Sequence, residues 1–327
     1  MLSELKFVMG AVAKRDLIPG MTHFCIEDKN IRAYNGHLGI GAPINLDIDC
    51  KPHAQQLIKA VSQCSENHVT TISMMGNGKL RIMNGDYTVF VDCISEETPH
   101  VLPEGDRVEI NGEELRKAFE NLQPFMGTDA SRPWTNGVLL HDKSAYATNN
   151  IAICQFWLGT PFPLTLNVPG EAIKEVLRVK EIATHLQVTS NSVTFHFSDG
   201  RWIRSGLWDN AFLGQLTAVM DRVVGNPVTT NLNLFEGLRA IAPFVNKLNE
   251  VYFDKGSLAT HLDDGVGARY HVDGLPDRGC FVLEQLQLLE GVATKIDLST
   301  YPAPCLFYGD NMRGAIVGRH MVSNDAG

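Results

Sequence analysis

The chain has 327 residues, of which 44% are hydrophobic, 20% charged and 8% aromatic. This is ordinary globular composition in a chain longer than one typical core, so two or three domains are expected. The net charge of −9 argues against a nucleic-acid binder that is basic all over, but leaves room for a locally basic inner face on an acidic molecule.

In chain order, Met1-Leu2-Ser3-Glu4-Leu5-Lys6 lacks a basic stretch followed by an apolar one, so no secretory signal is expected. No apolar run reaches the length of about 18 residues that a membrane helix needs. A cytoplasmic product is expected. Leu5, Val8, Met9 and Val12 share one face of a helix over 3–15, with Lys6, Gly10 and Lys14 opposite. Leu57, Ile58 and Val61 predict a second helix over 52–64. Strands follow at 71–74, 80–82 and 87–91, broken by Gly76-Asn77-Gly78 and Asn84-Gly85-Asp86, the residues of antiparallel hairpins.

The same unit then returns twice. Leu115, Ala118, Phe119 and Leu122 predict a helix over 112–125, and Ala172, Ile173, Val176 and Leu177 another over 169–179, with Pro169 at its start. Strands at 186–188, 193–197 and 202–203 follow, separated by Ser190-Asn191-Ser192 and Asp199-Gly200. The third copy has Leu234, Leu238, Ile241 and Ala242 on a helix over 233–247, then Leu283, Leu286 and Leu289 over 281–290. Strands at 295–298, 306–308 and 315–317 close it. Leu115, Phe119, Leu122, Pro124 and Phe125 match Leu234, Leu238, Ile241, Pro243 and Phe244, and the shared Pro-Phe is read as a common helix stop. The fold class is therefore α+β, three tandem repeats of a two-helix, antiparallel-sheet domain. The domains are expected at 1–105, 106–224 and 225–322, with a tail over 323–327.

Seven cysteines, at 25, 50, 64, 93, 154, 280 and 305, form no C-x-x-C pair and are odd in number. They read as free thiols in a reducing compartment rather than disulfides or metal ligands.

Several stretches resemble the bacterial β sliding clamp, the processivity subunit of the replicative DNA polymerase, and its phage-encoded relatives. They are Lys14-Arg15-Asp16-Leu17-Ile18-Pro19, Arg132-Pro133-Trp134-Thr135-Asn136-Gly137-Val138-Leu139-Leu140, Ala147-Thr148-Asn149, Val168-Pro169-Gly170-Glu171-Ala172-Ile173-Lys174-Glu175-Val176-Leu177 and Gly279-Cys280-Phe281. The likeness runs through nearly the whole chain in order. Two departures stand out: Asn149-Asn150-Ile151-Ala152-Ile153 replaces the family's Asp-Gly-His-Arg-Leu, and Val317-Gly318-Arg319-His320-Met321 replaces its Met-Pro-Met-Arg ending.

The resemblance implies the DNA clamp fold, with two chains joined head to tail as a homodimer forming a six-domain ring. Helices line the channel and sheets form the outer wall. It further implies duplex DNA as a sequence-independent partner, DNA polymerase and clamp loader as partners docking through short peptide motifs, and no cofactor. The cations that would face DNA are Lys6, Lys14, Arg15, Lys59, Arg116, Lys117, Lys174, Arg178 and Arg239. The plainer reading of each is the solvated face of an amphipathic helix. Glu113, Glu114, Glu120, Glu171 and Glu175 share these helices, and 281–290 has no basic residue. A partner-peptide groove is implied at Thr135, Thr148, Asn149, Asn150, Ile151, Val317, His320 and Met321. The ring interface would pair the edge strand holding Tyr87, Val89 and Phe90 with an edge of the third domain, with Phe244, Val245 and Leu248 at the joint. Phe90 and Val245 have the alternative of belonging to their own domain cores.

Signs of catalysis are absent. Gly76-Asn77-Gly78-Lys79 lacks phosphate-loop spacing, and no G-x-S-x-G or H-E-x-x-H occurs. His261 with His271 does not make a metal site, and Asp47 with Asp49 and Asp263 with Asp264 read as solvated strand ends. The alternatives to a clamp are a clamp-fold interaction module without ring closure or DNA binding, and a hydrolase using these scattered acids and histidines.

Overall fold

The computed structural model describes residues 1–15, 17–209, 213–222, 226–263 and 265–321. Asp16, positions 224–225 of the second expected boundary, Asp264 and the tail over 323–327 lie outside the described residues.

The repeat is visible in the order of elements. Helix α1 (Leu2–Val8), prolonged by a 3-10 turn over Met9–Ala11, precedes β1 (Cys25–Glu27), β2 (Asn30–Tyr34) and β3 (Leu38–Pro43). Helix α2 (Ala54–Ser62) precedes β4 (Thr70–Met74), β5 (Lys79–Asn84) and β6 (Tyr87–Asp92). Next come β7 (Asp106–Glu109) and α3 (Gly112–Leu122), a 3-10 turn over Gln123–Phe125, and the long hairpin of β8 (Gly137–Thr148) and β9 (Ala152–Pro169). Helix α4 (Gly170–Arg178) leads to β10 (Ala183–Val188), β11 (Ser192–Phe197) and β12 (Trp202–Gly206). Helix α5 (Leu213–Arg222) and β13 (Val228–Thr229) come before α6 (Asn233–Ile241), with its 3-10 turn over Ala242–Phe244. The third copy continues with β14 (Glu250–Asp254), β15 (Ser257–Ala259), β16 (Arg269–His271), β17 (Arg278–Val282) and α7 (Leu283–Gln287). It ends with β18 (Lys295–Ile296), β19 (Cys305–Gly309) and β20 (Met312–Ile316).

Three expected helices are shorter than their apolar spacing suggests. The first stops at Ala11, not 15: Val12 is extended and the Ala13 amide bonds the Met21 carbonyl at 2.9 Å, so Lys14 and Arg15 lie on a bend beyond the helix. The helix over 233–247 ends with its 3-10 turn at Phe244. The one over 281–290 keeps only Leu283–Gln287, because Phe281 and Val282 are taken by β17. At Pro124 and Pro243 the missing N–H interrupts the α-helical ladder, and both helices tighten into 3-10 turns at the shared Pro-Phe. The expected apolar faces are buried: Leu5 and Val8, then Leu115, Ala118, Phe119 and Leu122, then Leu234, Leu238 and Ile241. Each large side chain so covered contributes about 1.5–3 kcal/mol.

The chain forms two compact units, Met1–Arg116 with Glu171–Leu207, and Lys117–Gly170 with Trp208–Gly327. The first unit holds a seven-stranded antiparallel sheet, β1-β2-β3-β12-β11-β10-β7, in which β3 of the first copy pairs with β12 of the second (Trp202 opposite Gly41, Ser205 opposite Leu38). The second unit holds a six-stranded sheet, β13-β18-β19-β20-β9-β8, in which β9 of the second copy pairs with β20 of the third (Ala152 opposite Ile316, Phe156 opposite Met312). In both, the third strand after a copy's second helix pairs with an outer strand of the preceding copy. Two smaller sheets remain, β4-β5-β6 in the first unit and β16-β15-β14-β17 in the second.

The four-stranded sheet repeats the topology of the first copy. There, the segment at Cys50 bridges to Ile26 of β1, giving the order Cys50 segment, β1, β2, β3. The order β17, β14, β15, β16 is the same. Strand β16 therefore occupies the position of β3, and β6 occupies the position of β12 and β20. The β1–β2 hairpin turns on Asp28 and Lys29 (φ 50° and 58°) and the β14–β15 hairpin on Lys255 and Gly256 (φ 48° and 75°), the left-handed pair of a type I′ turn.

Candidate nucleic-acid interface, partner groove and ring edges

The nine candidate cations fall into two groups. Lys6 on α1, Lys14 and Arg15 on the bend after it, Lys59 on α2 and Lys174 on α4 are exposed and make no ion pair among the described residues. The rest are engaged. Arg116 on α3 reaches across to the end of α4, donating from Nη1 to the Val179 carbonyl at 2.6 Å and from Nη2 to the Leu177 carbonyl at 3.1 Å. These carbonyls lie at the helix terminus, where backbone acceptors lack partners and negative partial charge collects, so the guanidinium caps α4. Arg116, expected among the DNA-facing cations, is thus held in a capping contact within the chain.

Arg178 pairs with Glu175 at 2.6 Å, donates to the Phe7 carbonyl at 2.7 Å and lies 5.7 Å from the Phe7 ring centre, which ties α4 to α1. Arg239 pairs with Glu290. Lys117 is exposed and has its own interaction within the chain.

The residues expected to form a partner groove include the β8–β9 turn. Asn149 organises it: its Oδ1 accepts from the Ile151 amide at 3.1 Å and the Ala152 amide at 2.8 Å, while its Nδ2 donates to Gln285 of α7 at 2.9 Å. Asn150 has φ 72°, a value Asn tolerates better than most residues, and accepts from Arg132 Nη1 at 2.9 Å. Val317 continues the β9–β20 pairing with its amide on the Ile151 carbonyl at 2.9 Å and is exposed, as is His320. Met321 donates its amide to the Tyr301 hydroxyl at 3.3 Å.

Thr135 and Thr148 differ from the expectation. Both are buried, with hydroxyls donating to the Arg132 and Ala152 carbonyls at 2.8 Å each, so they brace the turn from beneath and present nothing to a ligand. Arg319, between Val317 and Met321, is held to Glu250 at 2.9 Å. Burial raises the Glu250 carboxyl, but hydrogen bonds from Arg319, Tyr252 and Asn246 outweigh it and hold the group below the usual range.

Beside this turn lies an apolar cluster that repeat-based reading missed. Leu139, Tyr146, Ile153, Met220, Leu306 and Ala315 are buried together, with Trp134, Val219 and Tyr308 half-buried against them. Helix α5 supplies Val219 and Met220. Among the described residues it has no counterpart in the other copies, so repeat spacing does not reveal it. The spacing of Leu213, Leu216 and Met220 was the available signal.

At the edges, β6 and β16 are the outer strands of their sheets. Phe90 on β6 is 51% exposed, and Phe244 and Leu248 are 57% and 60% exposed; Tyr87, Val89 and Val245 are half-buried. Phe90 therefore does not belong to its own core. Phe125, the counterpart of Phe244, is fully buried and stacks on Phe307 of β19 at 6.0 Å between ring centres. Gly237 allows α6 to pack closely against β16, since a Cβ there would stand 2.7 Å from the Tyr270 ring.

Among the described residues no group of three or more His, Cys, Asp and Glu is arranged to hold a metal ion. No described helix is long and apolar enough to cross a membrane.

Three copies of a two-helix, antiparallel-sheet domain, stitched together by sheets shared between copies, define the DNA clamp fold. Solved structures with this architecture bear the likeness out. The β sliding clamp of Caulobacter crescentus superposes with a TM-score of 0.83 at 16% identity. The DNA polymerase III β subunit of Pseudomonas aeruginosa superposes with 0.82 at 16%, and the DNA polymerase sliding clamp of Bacillus subtilis with 0.80 at 15%. Each match covers 98% of this chain and 97% of the other. No family model and no curated protein sequence matches the chain.

Proposed function

We propose that this chain is a non-catalytic DNA sliding clamp. Two copies join head to tail into a six-domain ring around duplex DNA and tether a replicative DNA polymerase to its template. The domains are those expected from the repeat, 1–105, 106–224 and 225–322.

The observation that carries the proposal is the unused pair of edges. The third strand after each second helix, β12 or β20, pairs with an outer strand of the preceding copy. The first copy's β6 and the third copy's β16 hold the corresponding positions and are outermost in their sheets, β6 being covered, among the described residues, only at its last residue, Asp92, by His53 and Gln56. Pairing β6 of one protomer with β16 of its partner would join sheets of three and four strands, making seven, as in the intact β1–β12 sheet. The exposed Phe244 then takes the kind of cover that Phe307 gives Phe125.

A closed ring is held on DNA by topology, so it needs few phosphate contacts, and those carry no sequence information. Lys6, Lys14, Arg15, Lys59 and Lys174 supply them. The exposed Val317 and His320, with Asn149, Asn150, Ile151 and Met321, form the rim of the groove that would take short apolar peptides of polymerase and clamp loader.

The engagement of Arg116, Arg178 and Arg239 within the chain favours one other reading, a clamp-fold interaction module that does not hold DNA. A threading assay separates the two. The protein is mixed with a short biotinylated duplex in low salt, both ends are blocked with streptavidin, and salt is then raised. A ring stays on the blocked duplex and leaves an unblocked one. Equal loss from both would overturn the proposal. In the Lys14→Ala, Arg15→Ala double variant the amount threaded in low salt should fall several-fold with the fold intact.

A further inference from the structure

In the first unit, the segment Cys50–His53 runs between two others. It bridges Ile26 through Cys50 on one side and meets Cys93 through Pro52 on the other. The amide of Ile94 bonds the Lys51 carbonyl at 3.1 Å and that of His53 bonds the Asp92 carbonyl at 2.9 Å, so Pro52 and Cys93 form a close, non-hydrogen-bonded pair. Cys50 lies two residues from Pro52 and so projects on the same face, diagonal to Cys93, and the two thiols are in hydrogen-bond contact.

Both thiols are only half-buried, and both line an open cleft of about 890 Å³ that also borders Cys25. The charged and titratable side chains around this cleft are Glu27, Arg32, Asp49, Lys51, Lys79, Asp92, Glu97 and His100. Cys154 and Cys305, by contrast, are fully buried.

We infer that Cys50 and Cys93 are an oxidisable dithiol, closed to a disulfide by a peroxide or a low-molecular-weight disulfide entering this cleft. The two sulfurs are unequal. Interaction with the Cys50 thiol and a backbone hydrogen bond from Leu80 draw Cys93 below the ordinary thiol range, while the same contact and burial push Cys50 up. Cys93, whose sulfur accepts a hydrogen bond from the Leu80 amide, is the attacking thiolate and Cys50 the resolving thiol.

With hydrogen peroxide, the Cys93 sulfur bonds one peroxide oxygen as the O–O bond breaks and hydroxide leaves, giving a sulfenic acid. The Cys50 sulfur then bonds Cys93 as the S–O bond breaks. The oxygen departs as water, taking up the Cys50 proton, so two thiols and one peroxide give one disulfide and two waters. A low-molecular-weight disulfide reaches the same product by two exchanges, releasing two small thiols. The bond would fasten the end of β6, which closes at Asp92, to the segment that follows β3.

The test treats the full-length protein with hydrogen peroxide or glutathione disulfide, blocks remaining thiols, and maps tryptic peptides without reduction. Cys25, Cys50 and Cys93 fall in separate peptides, 16–29, 33–59 and 82–107. The expected product is peptide 33–59 joined to 82–107, with the intact mass lower by about 2 Da and restored by dithiothreitol. Cys50→Ser and Cys93→Ser should each abolish the joined peptide, whereas Cys25→Ser should leave it. A linkage through Cys25, a linkage only between chains, or no linkage while other cysteines oxidise would overturn the inference. Because the wild-type map decides the matter, poor folding of a serine variant does not obscure the answer.

Discussion

Truncating Arg116 is the sharpest test of how the helix cations divide between structure and DNA. Its guanidinium spans the Val179 and Leu177 carbonyls at 2.6 and 3.1 Å. A hydrogen bond to a charged donor is worth about 1.5–3 kcal/mol, and a cation at a helix C-terminus about 0.3–1 kcal/mol more. The side chain is half-buried, so water replaces part of this on truncation. Arg116→Ala should therefore cost about 2–3 kcal/mol. Arg116→Lys keeps the charge but loses the fork that reaches both carbonyls, and should still cost about 1 kcal/mol. Urea denaturation followed by circular dichroism measures both, with Lys174→Ala as an exposed control expected within about 0.5 kcal/mol of wild type. In the threading assay under native conditions, Arg116→Ala should hold DNA as wild type does. Undiminished stability together with lost threading would refute the capping role and return Arg116 to the channel.

Gly41→Ala would set a Cβ 2.3–2.5 Å from Trp202 ring atoms at the β3–β12 junction and should destabilise by about 1–3 kcal/mol in urea, whereas Gly76→Ala, with nothing within 4 Å, should not. His196 is held at about 4, against an ordinary 6.5, first by burial and then by His185, its stacked neighbour at 4.5 Å, and by Arg107. Because the folded value is depressed, its contribution is complete above pH 6.5 and is lost as pH falls toward 4, where the unfolded chain takes up the proton first. A full shift of that size corresponds to about 3 kcal/mol, which partial exposure reduces to about 1–2 kcal/mol. His196→Gln should flatten the stability profile by that amount across this window, as read by urea midpoints at successive pH values. Phe90→Asp and Leu248→Asp should each convert a dimer to folded monomer in sedimentation analysis, by placing a charge in an apolar joint.

The hairpins after each second helix were legible because their turns carry local signals: Gly76-Asn77-Gly78, Asn84-Gly85, Asp199-Gly200 and Asp310-Asn311 all mark real chain reversals. The β1–β2 hairpin was not, since Asp28-Lys29 gives little hint of a type I′ turn. Pairing of β3 with β12 and of β9 with β20 depends on long-range register, which no local pattern encodes. Phe125 and Phe244 share one motif, yet one is sealed by Phe307 and the other is bare, a difference set by the neighbouring strands. Charge on a helix face identified candidate DNA contacts, but the Arg116 chain reaches the end of α4, and only packing reveals that. The β8–β9 turn was singled out by the resemblance, while the burial of Thr135 and Thr148 follows from tertiary hydrogen bonds that sequence spacing does not carry.

Electron microscopy of the purified 327-residue chain decides whether the ring forms. Closed particles of two chains and six domains are expected, around a central opening wide enough for duplex DNA, with β6 of each protomer continuing into β16 of its partner. Isolated single chains with both edges uncovered, at micromolar concentration, would contradict the ring.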